Sequence, residues 1–465
     1  MADGLPVERL REYLRELKPE ARNLLIKELE RGVLRGEATP GAELVLQELR
    51  RLAREAGRPS SRGGSLSRLF FQPIEPFLVD DVATHRHPGR VARVALEPIW
   101  EWICRDLLPG EAKAVNEDVA RAISGDDNER AADLARAFQD RVALRAQEAF
   151  DAAGSDEKAL RRLAGQIATP RGMDDVTTIV KVLQSQDAFD YFAAQLPEHI
   201  ASLCDETLDR TRSLLDAVPS NDEATFLSGL LIVMSRLAAP WQLVHIATRN
   251  GGHSASQLAE GRYGVIVSIV LAEIERMIGE LKAELRSGRG LAVGALLKSI
   301  HDAIHGLRSE VELSAESPWG RQLASLRTGI SDLLKDEIES MPGRVRRLLR
   351  PREIQDIAPE SMVDRVDATD CEALVAFVDT SRPYAEELAI AEMTQRAWAE
   401  LSEYLQAIVE PLSQALGSAG DSDCNFRQSQ FDVALRLSAI VFGQDQADKV
   451  AGGLVQEAAR KVSNG

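Results

Sequence analysis

Apolar residues recur at intervals of three and four along most of the chain, which is the spacing of one face of an α-helix. The stretch that organises the chain runs from Phe226 to Leu285. Its first half, residues 226–247, is the most apolar run of the sequence, and its second half has no charged residue between Tyr263 and Glu273. We therefore predict that this stretch forms central helices around which the other helices pack.

The rest of the sequence continues the helical spacing, with breaks at glycine and proline. A late example is the stripe Leu401, Leu405, Ile408 and Leu412, whose members are four, three and four residues apart. Neither the two-residue alternation of exposed strands nor a convincing fixed-period repeat is present. The pattern predicts an all-α fold, an irregular multi-helix protein with a small N-terminal helical module and a larger helical body.

The best domain boundary is the stretch that follows residue 57, which is rich in glycine, serine and proline and cannot hold a helix. We predict four regions: an N-terminal helical module at 1–57, a linker at 58–68, a central helical body at 69–350, and a C-terminal helical region packed on the body at 351–465.

Prolines suggest two local interruptions. Residues 69–79 are apolar but contain two prolines, so we expect an extended segment pinned across the helical body. Pro318 opens a later helix, and we expect Pro342-Gly343 to interrupt it.

Composition narrows the class of protein. The 465 residues are 44% hydrophobic and 28% charged, enough apolar content for a substantial core, and the net charge of -17 disfavours binding to nucleic acid. Arginine outnumbers lysine roughly four to one, which suggests a GC-rich bacterial genome. The N-terminus lacks an apolar leader, and Arg236, Pro240 and His245 interrupt the run at 226–247. We therefore expect a cytoplasmic protein without a transmembrane segment.

The four cysteines are widely spaced and contain no CxxC pair, which removes a zinc ribbon and a thioredoxin-type pair. We expect free, buried thiols of a reducing compartment. The four residues are Cys104, Cys204, Cys371 and Cys424.

Two histidines have a spacing that would suit a metal site. His301 and His305 are four residues apart, so on a helix both imidazoles lie on one face and could share a metal. The spacing lacks the glutamate of HExxH and a third ligand at a fixed distance. Histidines that serve as polar surface or hydrogen-bonded groups are the favoured interpretation.

The stretch after Val79 is the densest in titratable groups. Its arginines and a histidine could bind a phosphate or carboxylate, although pairing with an acidic body is favoured. The candidate binding residues are Asp81, His85, Arg86, His87 and Arg90.

The most concentrated positive charge lies near residue 350. It could contact an acidic partner, phosphates or a membrane surface, and the favoured alternative is a helix end that neutralises the protein's own carboxylates. The lack of interleaved aromatic residues disfavours the hypothesis that this stretch binds single-stranded nucleic acid. The arginines are Arg344, Arg346, Arg347, Arg350 and Arg352.

Two functional hypotheses follow. The first is a helical scaffold or adaptor that acts through protein–protein interaction or self-association. The second is an enzyme, possibly metal-dependent, with a cleft between helices that uses the His85/His87 loop or the His301/His305 pair. No cofactor is predicted, because the phosphate-binding glycine loops and GxSxG are absent. Peripheral membrane contact through the arginines is a third, weaker hypothesis.

Overall fold

The computed structural model describes Val45 and residues 66–79, 89–167, 169, 171–249, 252–287, 291–354, 357, 361–420 and 423–444. Helices account for most of these residues, which confirms the all-α prediction. The α-helices are α1 (Leu66–Phe71), α2 (Leu96–Trp102), α3 (Pro109–Ser124), α4 (Asn128–Ala153), α5 (Glu157–Ile167), α6 (Gly172–Gln184), α7 (Gln186–Ala194), α8 (Asp205–Asp216), α9 (Glu223–Arg236), α10 (Val244–Thr248), α11 (Ala255–Glu260), α12 (Val265–Ser287), α13 (Leu291–Glu310), α14 (Pro318–Leu348), α15 (Arg365–Ser381), α16 (Ala391–Gly417) and α17 (Cys424–Phe442).

The described residues contain one very short sheet. The strands β1 (Leu78–Val79) and β2 (Val91–Ala92) pair in parallel, with Leu78 opposite Val91. All four residues are buried. Strands of two residues are too short to form a layer, so their role is to fasten the chain between α1 and α2.

The chain divides into two compact units. One unit, here called the α1–α11 unit, contains the described residues of Glu55–Gly279 and Asp302–Gln322. The other, here called the α15–α17 unit, contains those of Met1–Arg54, Glu280–His301 and Leu323–Gly465. The helices α12, α13 and α14 each contribute residues to both units. The boundaries predicted at 57, 68 and 350 stay predictions.

Local sequence explains where the helices of the α1–α11 unit begin and end. The carboxylate of Asp127 accepts a hydrogen bond from the backbone N–H of Arg130 at 3.0 Å and so caps α4. The helix ends at Gly154, whose φ of +50° is accessible to glycine without strain. Between these ends, α4 buries one helical face, consisting of Ala131, Ala135, Phe138, Val142 and Ala146.

The predicted central helices lie in the interior, as expected. In α9, Leu230, Leu231 and Val233 have no exposed surface. The first part of α12 is equally enclosed, and Asp222 caps α9 by accepting from the backbone N–H of Thr225 at 3.0 Å. Other parts of the protein therefore enclose these side chains. No helix of the described residues is long and apolar enough to cross a membrane.

The expectation of an extended segment at 69–79 is wrong for most of that segment. The chain forms α1 as far as Phe71, then a 3-10 helix over Gln72–Phe77, and is extended only in β1. Pro73 falls in the first turn of the 3-10 helix, where a missing N–H costs little. Burial of this apolar segment is nevertheless confirmed, since Phe70 and Ile74 are fully buried.

The expected interruption at Pro342 is also wrong, because α14 continues through it to Leu348. A proline inside a helix costs about 3 kcal/mol. The apolar stripe of α14 runs on across this position, with Ile338, Met341 and Val345 all fully buried. Full burial of each such side chain contributes about 1.5–3 kcal/mol, so the three together outweigh the cost of the proline.

Candidate functional site

The loop candidates fall largely outside the described residues. This applies to Asp81, His85, Arg86 and His87, so a phosphate or carboxylate site there stays a prediction. Arg90 is the candidate from this group that the structure places.

Arg90 lies in the interior of the α1–α11 unit. Its Nη1 donates to the backbone oxygen of Pro76 at 3.1 Å, and its Nη2 lies 3.9 Å from Oε2 of Glu273. Both side chains are only 10% exposed. Burial lowers the pKa of Arg90 from its usual value, although the carboxylate of Glu273 counters this effect. The Glu273 carboxylate also accepts three hydrogen bonds from Arg276, the shortest at 2.7 Å.

His301 and His305 lie one turn apart on α13, as the spacing predicts. The division between the two units falls between them. His301 packs against the ring of Tyr384, with 5.1 Å between the ring centroids, and His305 is exposed. Within the described residues, no group of three or more histidine, cysteine, aspartate or glutamate side chains could hold a metal ion.

The arginine cluster lies at the C-terminal end of α14 and just beyond it. Its residues are exposed, but one is committed to a neighbouring helix. Arg346 lies 3.4 Å from the Glu400 carboxylate and over the ring of Tyr404, both on α16. Arg346 is therefore neutralised by one of the protein's own carboxylates, as predicted for this cluster.

The other arginines form what we call the arginine surface, made of Arg344, Arg347, Arg350 and Arg352. In the part of the chain that the structure describes, none of these four has an ion pair. Arg352 lies over the ring of Phe426, 4.9 Å from its centroid, and the backbone oxygen of Arg350 accepts from Gln430 at 3.0 Å.

Exposed apolar side chains border the arginine surface. Ile354 is 62% exposed and Met362 is 54% exposed, unusual values for large hydrophobic residues. The backbone N–H of Val363 donates to Ser429 at 3.0 Å, which places the Met362 neighbourhood on the first turns of α17. Because Arg350 and Arg352 contact the same turns, the charged and apolar groups lie together.

Several half-buried arginines hold neighbouring segments by donating to backbone oxygens, and we call these contacts arginine braces. Arg236 donates to the oxygens of Ala193 and Leu196 at the end of α7, at 2.6 and 2.8 Å. In the α15–α17 unit, Arg327 donates to the oxygens of Glu386 and Glu387 at 2.7 and 2.8 Å. Arg212 and Arg262 make similar bonds.

Sequence reasoning missed a histidine–glutamate contact in the α1–α11 unit. Nδ1 of His245 lies 3.6 Å from Oε1 of Glu310, and the Thr248 hydroxyl donates to Oε2 of the same carboxylate at 3.2 Å. Nδ1 of His253 lies 2.8 Å from the Glu310 backbone oxygen. These residues are about sixty positions apart in sequence, so no local motif could reveal them. The contacts tie α10 and the 252–255 segment to the end of α13.

A cavity of about 460 Å³ opens on the α1–α11 unit between the segment after α1 and the helices α4, α7 and α9. Phe77 and Phe189 contribute apolar walls. Arg136 lies at its edge and pairs with Asp190 at 3.3 Å, so its charge is already matched. The volume is within the range of small-molecule sites.

The cysteine prediction is correct for pairing and mostly wrong for burial. All four thiols are free, but only Cys371 is buried; Cys104 is half-buried and Cys204 and Cys424 are exposed. Cys204 precedes α8, and its Sγ lies 3.2 Å from the hydroxyl oxygen of Thr207. This contact, with nearby backbone N–H groups, lowers the pKa of the Cys204 thiol, whereas burial raises the pKa of Cys104.

We expect iodoacetamide to alkylate Cys204 about tenfold or more faster than Cys104 near neutral pH, because the thiolate is the reactive form. Mass spectrometry of timed samples gives both rates. As pH increases, the alkylation rate of Cys204 should begin to rise at a lower pH than that of Cys104. Changing Thr207 to valine should slow Cys204 and leave the exposed Cys424 unaffected. Faster reaction at Cys104 would contradict the assignment.

The described residues form an irregular all-α protein of two units, and each unit contains arginine braces within it. Comparison of the chain with known protein families, with curated proteins and with solved structures finds no match in any of the three.

Proposed function

We propose that this protein is a helical scaffold or adaptor that acts through protein–protein interaction or self-association. The observation that carries the proposal is the set of arginine braces. Rigid binding surfaces avoid the entropic cost of ordering loops when a partner binds. In both units, braces hold loops between helices, as Arg236 does at the end of α7 and Arg327 does before α16.

The interior charges also support a framework. The buried Arg90 and Glu273 contact each other and the surrounding structure, and the His245–Glu310 contact fastens neighbouring segments. These groups therefore have a structural role that does not require a substrate. The predicted N-terminal module at 1–57 lies outside the described residues apart from Val45, and its role as a docking arm is part of the proposal.

The proposal is tested with the full chain and a chain lacking residues 1–57. Light scattering coupled to size exclusion measures self-association across a concentration series. Cross-linking in the source cells, followed by reconstitution from purified components, measures binding to another protein. We expect a defined oligomer or a reconstituted complex, lost or weakened in the shortened chain while its circular dichroism spectrum stays helical.

A full chain that is monomeric at every concentration and binds no cross-linked protein after purification would overturn the proposal. An insoluble shortened chain would place residues 1–57 in the core and leave the full-chain measurements to decide.

A further inference from the structure

The arginine surface lies in the stretch of the chain with the most concentrated positive charge. Between residues 344 and 354 the sequence has five arginines and one acidic residue, Glu353. Of those arginines, Arg346 has a carboxylate partner, Glu400. Of the acidic residues that follow, Asp356 and Glu360 lie outside the described residues, and Asp364 accepts hydrogen bonds from two backbone N–H groups at the start of α15. Residues 344–354 thus carry an excess of cations on a protein whose net charge is -17.

Apolar exposure at the same place distinguishes this surface from an ordinary solvated helix end. Ile354 and Met362 are among the few large hydrophobic side chains that are more than half exposed in the described residues. Exposed apolar groups beside unpaired cations are typical of interaction surfaces, where arginine is enriched and the apolar groups leave water on binding.

We propose that the arginine surface is the docking site of an acidic polypeptide segment that carries apolar side chains. The inference rests on the proposed scaffold function and adds the chemistry of the partner. Carboxylates of the segment would pair with Arg344, Arg347 and Arg350, since guanidinium groups bind carboxylates in a bidentate geometry. Its apolar side chains would cover Ile354 and Met362.

The net charge favours a short segment over a flat anionic surface. A membrane or a nucleic acid would also approach the protein's own carboxylates outside the arginine surface, and like charges repel within the Debye length of about 8 Å at physiological salt. A polypeptide segment can contact the arginine surface alone. The absence of aromatic residues among 344–354 further disfavours single-stranded nucleic acid.

The test uses a short fluorescein-labelled peptide of alternating glutamate and leucine pairs, with fluorescence anisotropy of the full chain as the readout. The variant R344Q/R347Q/R350Q should bind this probe about tenfold more weakly, because three exposed charge pairs are lost. Replacing Ile354 and Met362 with serine should also weaken binding, and raising the salt concentration should weaken binding by the wild type.

A matched control removes the same charge from arginines that already have partners in this unit. R382Q/R396Q/R436Q removes three arginines that pair with Asp379, Glu339 and Glu372, so binding should change by less than about twofold. Equal weakening in both triple variants would reduce the effect to overall charge and overturn the inference, as would a wild type that does not bind the probe.

Parallel arms use vesicles of phosphatidylcholine with and without phosphatidylserine, and a single-stranded RNA. Stronger binding to either, lost in the first triple variant and kept in the second, would replace the polypeptide with that partner. If the peptide probe does not bind but the reconstituted protein complex still forms, the scaffold proposal stands and its docking site lies elsewhere. If the probe binds but the chain forms no complex or oligomer, the scaffold proposal fails separately.

Discussion

Replacing Glu273 with glutamine is expected to lower the free energy of unfolding by about 3–5 kcal/mol. Glutamine keeps the shape of the side chain but removes the negative charge that faces Arg90 at 3.9 Å and Arg276 at 2.7 Å. Arg90 would then remain in the interior without this compensating carboxylate, and burial already lowers its pKa. Urea denaturation followed by circular dichroism and tryptophan fluorescence measures the loss.

Two further variants separate charge burial from simple loss of a contact. Changing Arg90 to methionine together with Glu273 to leucine removes the buried pair and should recover most of the stability. As a matched control, glutamine at Glu339, which pairs with Arg396 at the surface, should cost roughly 0–1 kcal/mol. A Glu273 variant within about 0.5 kcal/mol of wild type would show that the pair is not needed.

Changing Gly306 to alanine is expected to destabilise the protein by about 1–3 kcal/mol, although alanine is the better helix former by about 1 kcal/mol. Gly306 lies inside α13, and a Cβ atom there would sit 2.3 Å from Cε3 of Trp241. The rigid indole ring must move, and this cost exceeds the gain in helix propensity. Thermal unfolding detects the change.

The control for this prediction is Gly329 in α14, where no heavy atom lies within 4 Å of the added Cβ. Alanine at Gly329 should stabilise the protein by about 0.5–1 kcal/mol. In a background with Trp241 changed to leucine, the substitution at Gly306 should lose most of its effect, which a double-mutant cycle measures. A Gly306 variant that melts at or above the wild-type temperature would refute the predicted clash.

The fold class could be predicted because it depends on local spacing. The apolar run at 226–285 and the stripe from Leu401 to Leu412 both repeat at helical intervals, and their burial follows. The local errors at Pro73 and Pro342 have different causes. Pro73 lies in the first turn of a 3-10 helix, where a missing N–H costs little. At Pro342, burial of the neighbouring apolar side chains outweighed the local preference of proline, and this tertiary contribution is invisible to periodicity.

The candidate sites were harder to predict because their partners are distant in sequence. The concentration of arginines near residue 350 was evident, but only the structure distinguishes Arg346, paired with Glu400, from Arg344 and Arg347. Arg90 could be singled out by its neighbours, whereas its partner Glu273 lies on a helix far along the chain. Such pairs are set by packing, and a single sequence does not record them.

The arginine braces end on main-chain oxygens, and this has a consequence for how the protein tolerates change. An oxygen of the main chain is present whichever amino acid occupies the position, so substitutions at Ala193, Glu386 or Glu387 leave the acceptor in place. The donor positions, Arg236 and Arg327, lack this latitude. Loop residues beneath a brace should therefore accept broad replacement, and a saturation library should show intolerance concentrated at the two guanidinium positions.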